Sequence, residues 1–123
     1  MNRFIHFELA SDDLEKTAHF YQEVFGWQVE KWEGPIEYWL VTSGNETTPG
    51  INGGLMATSG EFRGTINTIG VGDIDAVIEK VLANGGELVL PKGEIPGVGF
   101  QAYVKDPTGI IVGLHQPAPG SGM

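Results

Sequence analysis

Apolar and polar residues alternate at the start of the chain. Over residues 3–10, Ile5, Phe7 and Leu9 fall on one side and Phe4, His6 and Glu8 on the other, the period of a half-buried strand. The period then lengthens: Leu14, Thr17, Ala18, Tyr21 and Phe25 recur at helical spacing. Asp12, with Glu15 three residues later, has the spacing of a capping box, and Gly26 is placed to end the helix. Strands are predicted over 27–33, 36–42 and 51–58, with a tight turn at Gly34-Pro35 and a polar loop over 43–50. The pattern then restarts. A strand over 65–71 precedes a helix capped by Asp73, with Ile74, Val77, Ile78 and Val81 on one face. Asn84-Gly85-Gly86 stops it, and strands follow at about 87–91, 99–105 and 110–115. Asp106-Pro107-Thr108-Gly109 has the composition of a turn. The Pro/Gly-rich stretch 91–99 suits either a lid or an ordinary hairpin loop.

The order is βαβββ, twice. A constant offset of 60 residues carries Leu9 onto Ile69, Asp13 onto Asp73, Gly26 onto Gly86 and Gly53 onto Gly113. The expectation is an α+β fold of two βαβββ modules related by pseudo-twofold symmetry, with curved mixed sheets enclosing a cleft. With 123 residues there is length for a single domain over 1–116, made of modules at about 1–60 and 61–116, followed by a flexible tail at 117–123.

Composition narrows the chemistry. Sixteen acidic residues against seven basic ones give a formal charge of −9, which disfavours a nucleic-acid backbone or an anionic membrane as partner. There is no cysteine, so disulfides, a thiolate nucleophile and thiolate metal sites are excluded. No apolar stretch approaches the ~20 residues of a membrane span, and no signal-peptide pattern follows Met1, so a cytoplasmic location is expected. No phosphate-binding glycine loop, zinc-protease helix or nucleophile elbow occurs.

His6-Phe7-Glu8, the run from Asp13-Leu14 through Phe20-Tyr21 to Phe25-Gly26-Trp27, Asn84-Gly85-Gly86 and Asp106-Pro107-Thr108-Gly109 together resemble the vicinal oxygen chelate superfamily. That group includes glyoxalase I, extradiol dioxygenases and bleomycin and fosfomycin resistance proteins. Within it the chain is most similar to small glyoxalase-like proteins of unassigned activity, with Gly53-Gly54-Leu55 and Gly113-Leu114-His115-Gln116 as strand signatures. The resemblance implies a cleft for a small molecule and a homodimer, to which Trp27 or Trp32 could contribute. It also implies a divalent metal held by the first and last strands of each half. Those positions read His6, Gly53, Ile66 and Gly113, so His6 alone has a donor side chain. The expectation is therefore no cofactor, with at most a weakly bound divalent metal at a displaced His6–Glu8–His115 set.

Two functions follow. One is a metal-independent lyase- or isomerase-type proton transfer, related to glyoxalase or dioxygenase chemistry, in which His6 and Glu8 are catalytic: burial raises a carboxyl's pKa, and histidine ordinarily titrates near neutrality. The other is non-catalytic binding, the sequestration or resistance type, with His6 a polar residue on the cleft floor. Trp39, Gly53, Thr68, Phe100, Tyr103, Gly113 and His115 are the candidate ligand-binding residues, with Gly53 and Gly113 expected to leave room in the cleft floor. Of the adjacent Tyr38 and Trp39, one faces the cleft and one faces away. His19 is expected on the solvated side of the first helix.

Overall fold

A computed structural model of the chain describes residues 1–120. Its elements run β1 (Arg3–Ser11), α1 (Leu14–Phe25), β2 (Gln28–Lys31), β3 (Trp39–Thr42), β4 (Gly53–Ala57), β5 (Gly64–Gly70), α2 (Ile74–Ala83), β6 (Glu87–Ile95), β7 (Gly99–Lys105) and β8 (Ile111–Pro117). The α+β class and the doubled βαβββ order are both present. The chain divides into two compact units, a first of His6–Ile66 and a second of Met1–Ile5 with the residues from Asn67 onward. The start of β1 thus belongs with the second unit, where Asn2 N–H donates to Gly70 O at 2.6 Å.

In the first unit the strand order is β2-β3-β4-β1, with β1 and β4 parallel and the other pairs antiparallel. Ala18 of α1 packs on Val41 and Leu55, and Phe7, Leu9, Leu14, Trp27, Val29 and Trp39 close around them. Burying a side chain such as Leu55, 1% exposed, is worth about 1.5–3 kcal/mol. In the second unit the order is β5-β8-β7-β6, again with one parallel pair, β5 and β8. There Ile74 of α2 packs on Val71, Ala102, Val104 and Leu114.

Both helices are held by local chemistry. The cap of α1 is Asp13 rather than Asp12: its carboxylate accepts from Lys16 N at 3.0 Å, as Asp73 accepts from Ala76 N at 3.1 Å. Asp12 is engaged elsewhere, accepting from Thr58 Oγ1 at 2.5 Å and standing 3.8 Å from Arg63. Gly26 ends α1 at φ +72°, a conformation that costs glycine nothing. On α2 the left-handed residue is Gly85, φ +89°, one position before the one the constant offset indicates, because α2 is 10 residues long against 12 in α1 and Asn84 stands between its end and the glycine.

The same slippage occurs in the sheets, with larger consequences. Phe7 pairs with Gly53 and Leu9 with Leu55, whereas Asn67 pairs with Val112 and Ile69 with Leu114. Relative to the first strands, the last strand of the second unit is set back by one residue. The structural counterpart of Gly113 is therefore Gly54, not Gly53, and a shift of one residue in a strand exchanges the two faces.

Residues 91–95 are strand, not lid. β6 continues to Ile95, opposite Gly99, and Val98 N–H donates to Ile95 O at 2.9 Å to close a short hairpin. The register shifts between Leu88 and Gly93, and Pro91 is accommodated there on the outermost strand of the second unit. At the next turn Asp106 accepts from Ile110 N at 3.0 Å and from Thr108 N and Oγ1, each at 2.8 Å, and these bonds, the one from Ile110 foremost, lower its carboxyl pKa. The segment expected as a tail begins in β8: Pro117 pairs with Gly99, and Ala118 N–H donates to Val98 O. Residues 121–123 of that segment lie outside the described residues.

Candidate functional site

Phe7 and Leu9 point toward α1, so alternation puts His6 and Glu8 on the opposite face of the first unit's sheet. The same rule separates Tyr38 from Trp39. Trp39 lies opposite Leu55 and joins the α1 core, and Tyr38 meets His6. His6 Nε2 and Tyr38 Oη are 2.7 Å apart, and the phenol donates when the imidazole carries its proton on Nδ1. The two rings lie nearly parallel, and Trp32 meets the Tyr38 ring edge-on. Gly54, the Cα partner of Glu8, lies under the Tyr38 hydroxyl, and a Cβ there would occupy the space of that hydroxyl. The Tyr38 oxygen thus stands on the strand position beside Glu8. Strand neighbours two apart, such as His6 and Glu8, are separated by about 6.5 Å.

Burial sets the protonation of this group. Desolvation lowers the His6 pKa from 6.5 to about 4, so at neutral pH the imidazole is uncharged and serves as a hydrogen-bonding group, not as a base titrating near neutrality. Glu8 is only 4% exposed, a carboxyl shielded from bulk water.

The second unit has its own polar face, turned from α2. His115 Nδ1 lies 2.9 Å from Gln101 Oε1, and Thr68, 1% exposed, has no hydrogen-bond partner for its Oγ1 among the described residues. Thr68, Gln101 and Tyr103 converge over Gly113, and a Cβ on Gly113 would run into the Thr68 hydroxyl. Of the candidate ligand-binding residues, Thr68, Tyr103, Gly113 and His115 therefore come together. Phe100 does not join them: it packs toward α2, with Lys92 Nζ 5.1 Å from its ring centroid. Gly53 is turned toward α1, where Phe7 fills the space a side chain would take. The glycines leave no room for a ligand; each makes way for a side chain of its own unit, Phe7 at Gly53, Tyr38 at Gly54 and Thr68 at Gly113. His19 is exposed on α1, as expected.

Tyr38, Gln101 and Gly54 are the members of these clusters that sequence reasoning did not select. The Gly53-Gly54 pair signals a close approach, but only strand register shows which glycine faces the histidine. The hairpin joining β2 to β3 also borders an open surface pocket of about 360 Å³, lined by Lys31, Trp32, Ile36, Glu37, Tyr38 and Trp39 among others. It touches the His6 cluster through Tyr38.

A metal of the kind the family resemblance implies does not fit this donor set. The first-strand position of the second unit is Ile66, and the last strands present glycines. Among the described residues, no three His, Asp or Glu side chains group to hold an ion.

The family model described as the Glyoxalase/Bleomycin resistance protein/Dioxygenase superfamily matches residues 3–114. The chain belongs to this superfamily. It is 30% identical over 121 residues to CFP32 of Mycobacterium tuberculosis, described as a glyoxylase, covering 89% of this chain and 43% of that one. It is 31% identical over 132 residues to the lactoylglutathione lyase GLX1 of Arabidopsis thaliana, covering 95% and 45%. The chain thus spans less than half the length of these two relatives. The crystal structure of methylmalonyl-CoA epimerase from Mycobacterium tuberculosis matches with a TM-score of 0.68 at 20% identity, over 94% of this chain and 88% of that one, a likeness of fold. Superfamily membership accounts for the doubled βαβββ order.

Proposed function

We propose that this protein acts on a small carbonyl compound by metal-independent proton transfer, with Glu8 as the base and the His6–Tyr38 pair as the group that steadies the developing charge. The observation that supports this is the shielded Glu8 carboxyl on the same sheet face as the 2.7 Å His6–Tyr38 hydrogen bond. Glu8 takes the proton from the carbon next to the carbonyl. The electron pair moves onto the carbonyl oxygen, which accepts a hydrogen bond from the Tyr38 hydroxyl, while neutral His6 in its Nε2–H tautomer donates to the Tyr38 oxygen and orients it. The proton then returns from Glu8 to carbon, which gives epimerisation or isomerisation. Names among the relatives supply two thioester probes for such chemistry, lactoylglutathione and methylmalonyl-CoA. The polar face of the second unit, with Thr68, Tyr103, Gly113 and His115, would bind a ligand in its own right, and the assembly would be a homodimer in the cytoplasm.

The test is loss of the α-proton signal of each probe in D₂O by NMR. Exchange that survives EDTA and falls about 10²- to 10⁴-fold in Glu8→Gln supports the proposal. Exchange abolished by EDTA and restored by a divalent ion would sink metal independence. Binding of both probes without exchange would leave the protein a sequestering module, the second reading, which the missing metal donors favour.

A further inference from the structure

Each helix packs one face on the sheet of its unit, but only α1 turns an aromatic side chain outward. Leu14 and Ala18 pack inward. The outer stripe, at the helical spacing i, i+4, i+7 and i+8, reads Lys16, Phe20, Glu23 and Val24, all exposed. Phe20 and Val24 are each more than half exposed, and so is Phe25 at the helix end. The Phe20 ring is held in place. It meets Tyr21 edge-on at a centroid distance of 5.1 Å and Phe25 at 6.2 Å, and Tyr21 stacks at 4.7 Å on Trp27, which packs against the core. A pinned ring at the surface loses little freedom when a partner covers it, and contiguous exposed apolar groups mark contact surfaces. The constant offset puts Lys80 at the position of Phe20 and Asn84 at that of Val24, so this surface belongs to α1 and not to the repeat.

The stripe is complementary to itself. Lys16 lies four residues before Phe20 and Glu23 three residues after it, and among the described residues neither side chain has an ion-pair partner in its own chain. Two copies of α1 laid antiparallel about a twofold axis at Phe20 bring the two Phe20 rings together and set each Lys16 beside Glu23 of the partner subunit. A parallel arrangement would oppose like charges instead. The chain carries a formal charge of −9, so two copies repel at a distance, and a contact between them needs an apolar centre flanked by paired charges. We infer that the outer face of α1 is the contact between two copies of this chain, an antiparallel helix pair centred on Phe20. This rests on the homodimer proposed above and names its surface. At 12 residues α1 is about 18 Å long, and one such face buries less than the ~800 Å² per partner of a standard interface, so the dimer is weak and concentration-dependent.

The test is sedimentation velocity of the intact protein from about 1 to about 500 μM. Dimer should form across this range in the wild-type chain, and Phe20→Glu should raise its Kd at least about 100-fold. Phe20 is exposed, so the far-UV circular dichroism of that variant should be unchanged. Lys16→Glu and Glu23→Lys should each raise the Kd by about three- to tenfold, and the double variant should return it to near the wild-type value, because each side chain then meets its opposite again. Both replacements suit their ends of the helix dipole, so neither unfolds α1. A dimer unaffected by Phe20→Glu would overturn the surface and leave the homodimer standing, as would one that Leu82→Glu, at an exposed position of α2, splits as readily. Failure of the double variant to recover would overturn the antiparallel pairing. A wild-type monomer at every concentration would overturn both the surface and the homodimer.

Discussion

The two units place a histidine on corresponding faces of their sheets, half-buried in the first and buried in the second, and the two histidines are not equivalent. His6 sits on the first strand of its unit and bonds Tyr38; His115 sits on the last strand of its unit and bonds Gln101. Their partners do correspond. Tyr38 precedes Trp39, which opposes Leu55, and Gln101 precedes Ala102, which opposes Leu114. Glu8 in one unit is matched by Thr68 in the other, since each opposes the glycine of the last strand, Gly54 or Gly113. A repeated backbone therefore supplies repeated positions, and the side chains decide that one unit carries a carboxyl and a phenol while the other carries an amide and a hydroxyl. The proposed proton transfer draws on the first combination, Glu8 with Tyr38.

The largest expected effect breaks this contrast at its centre. Glu8→Gln should cut exchange by about 10²- to 10⁴-fold, while Thr68→Val, its counterpart, should leave the rate within a few-fold; equal losses would show that the units share the chemistry. Next comes the pair of glycines. Gly54→Ala and Gly113→Ala should each destabilise the fold by about 1–3 kcal/mol in urea denaturation, because each Cβ meets a packed side chain. Gly54→Ala alone should also reduce turnover, since it displaces Tyr38.

A pH titration of stability sharpens the comparison further. The folded-state pKa of His6 lies at about 4, below its ordinary 6.5, so between these values the unfolded chain binds more protons. Stability should therefore be full above pH 6.5 and decline as pH falls toward 4, by on the order of 1–3 kcal/mol once the partial exposure of the ring is allowed for. His6→Gln keeps a hydrogen-bonding group and should flatten that part of the profile; an unchanged slope would place its origin elsewhere. The smallest effects concern the helix caps. Asp13→Ala and Asp73→Ala should each cost about 1 kcal/mol in thermal denaturation, and Asp12→Ala less, since the Asp12 carboxylate caps no helix.

Much of the architecture could be read along the chain because its signals are local. Periods of two and 3.6, the caps, and Gly26 after α1 act within a few residues, and they place all eight strands and both helices in order. The face carried by His6 and Glu8 was legible for the same reason: Ile5, Phe7 and Leu9 claim the other side. Register was not legible. A constant offset of 60 matched Gly53 to Gly113, but Gly113 pairs with Thr68 where Gly53 pairs with Phe7, one residue later along β5 than along β1, so Gly53 turns to Phe7 and Gly54 to Tyr38. The sides taken by Trp39 and Phe100 were not legible either, because they depend on which partner residue opposes them, Leu55 and Gln116.

What the sequence alone determined is thus the set of elements, their repetition and the residue types at the four positions of the family's metal, since these depend on residue type and on neighbours in the chain. What tertiary structure decided is which polar groups meet. His6 with Tyr38 and His115 with Gln101 are 32 and 14 residues apart, and pairing of that kind is set by strand register and by the removal of water, which carries His6 to its neutral form.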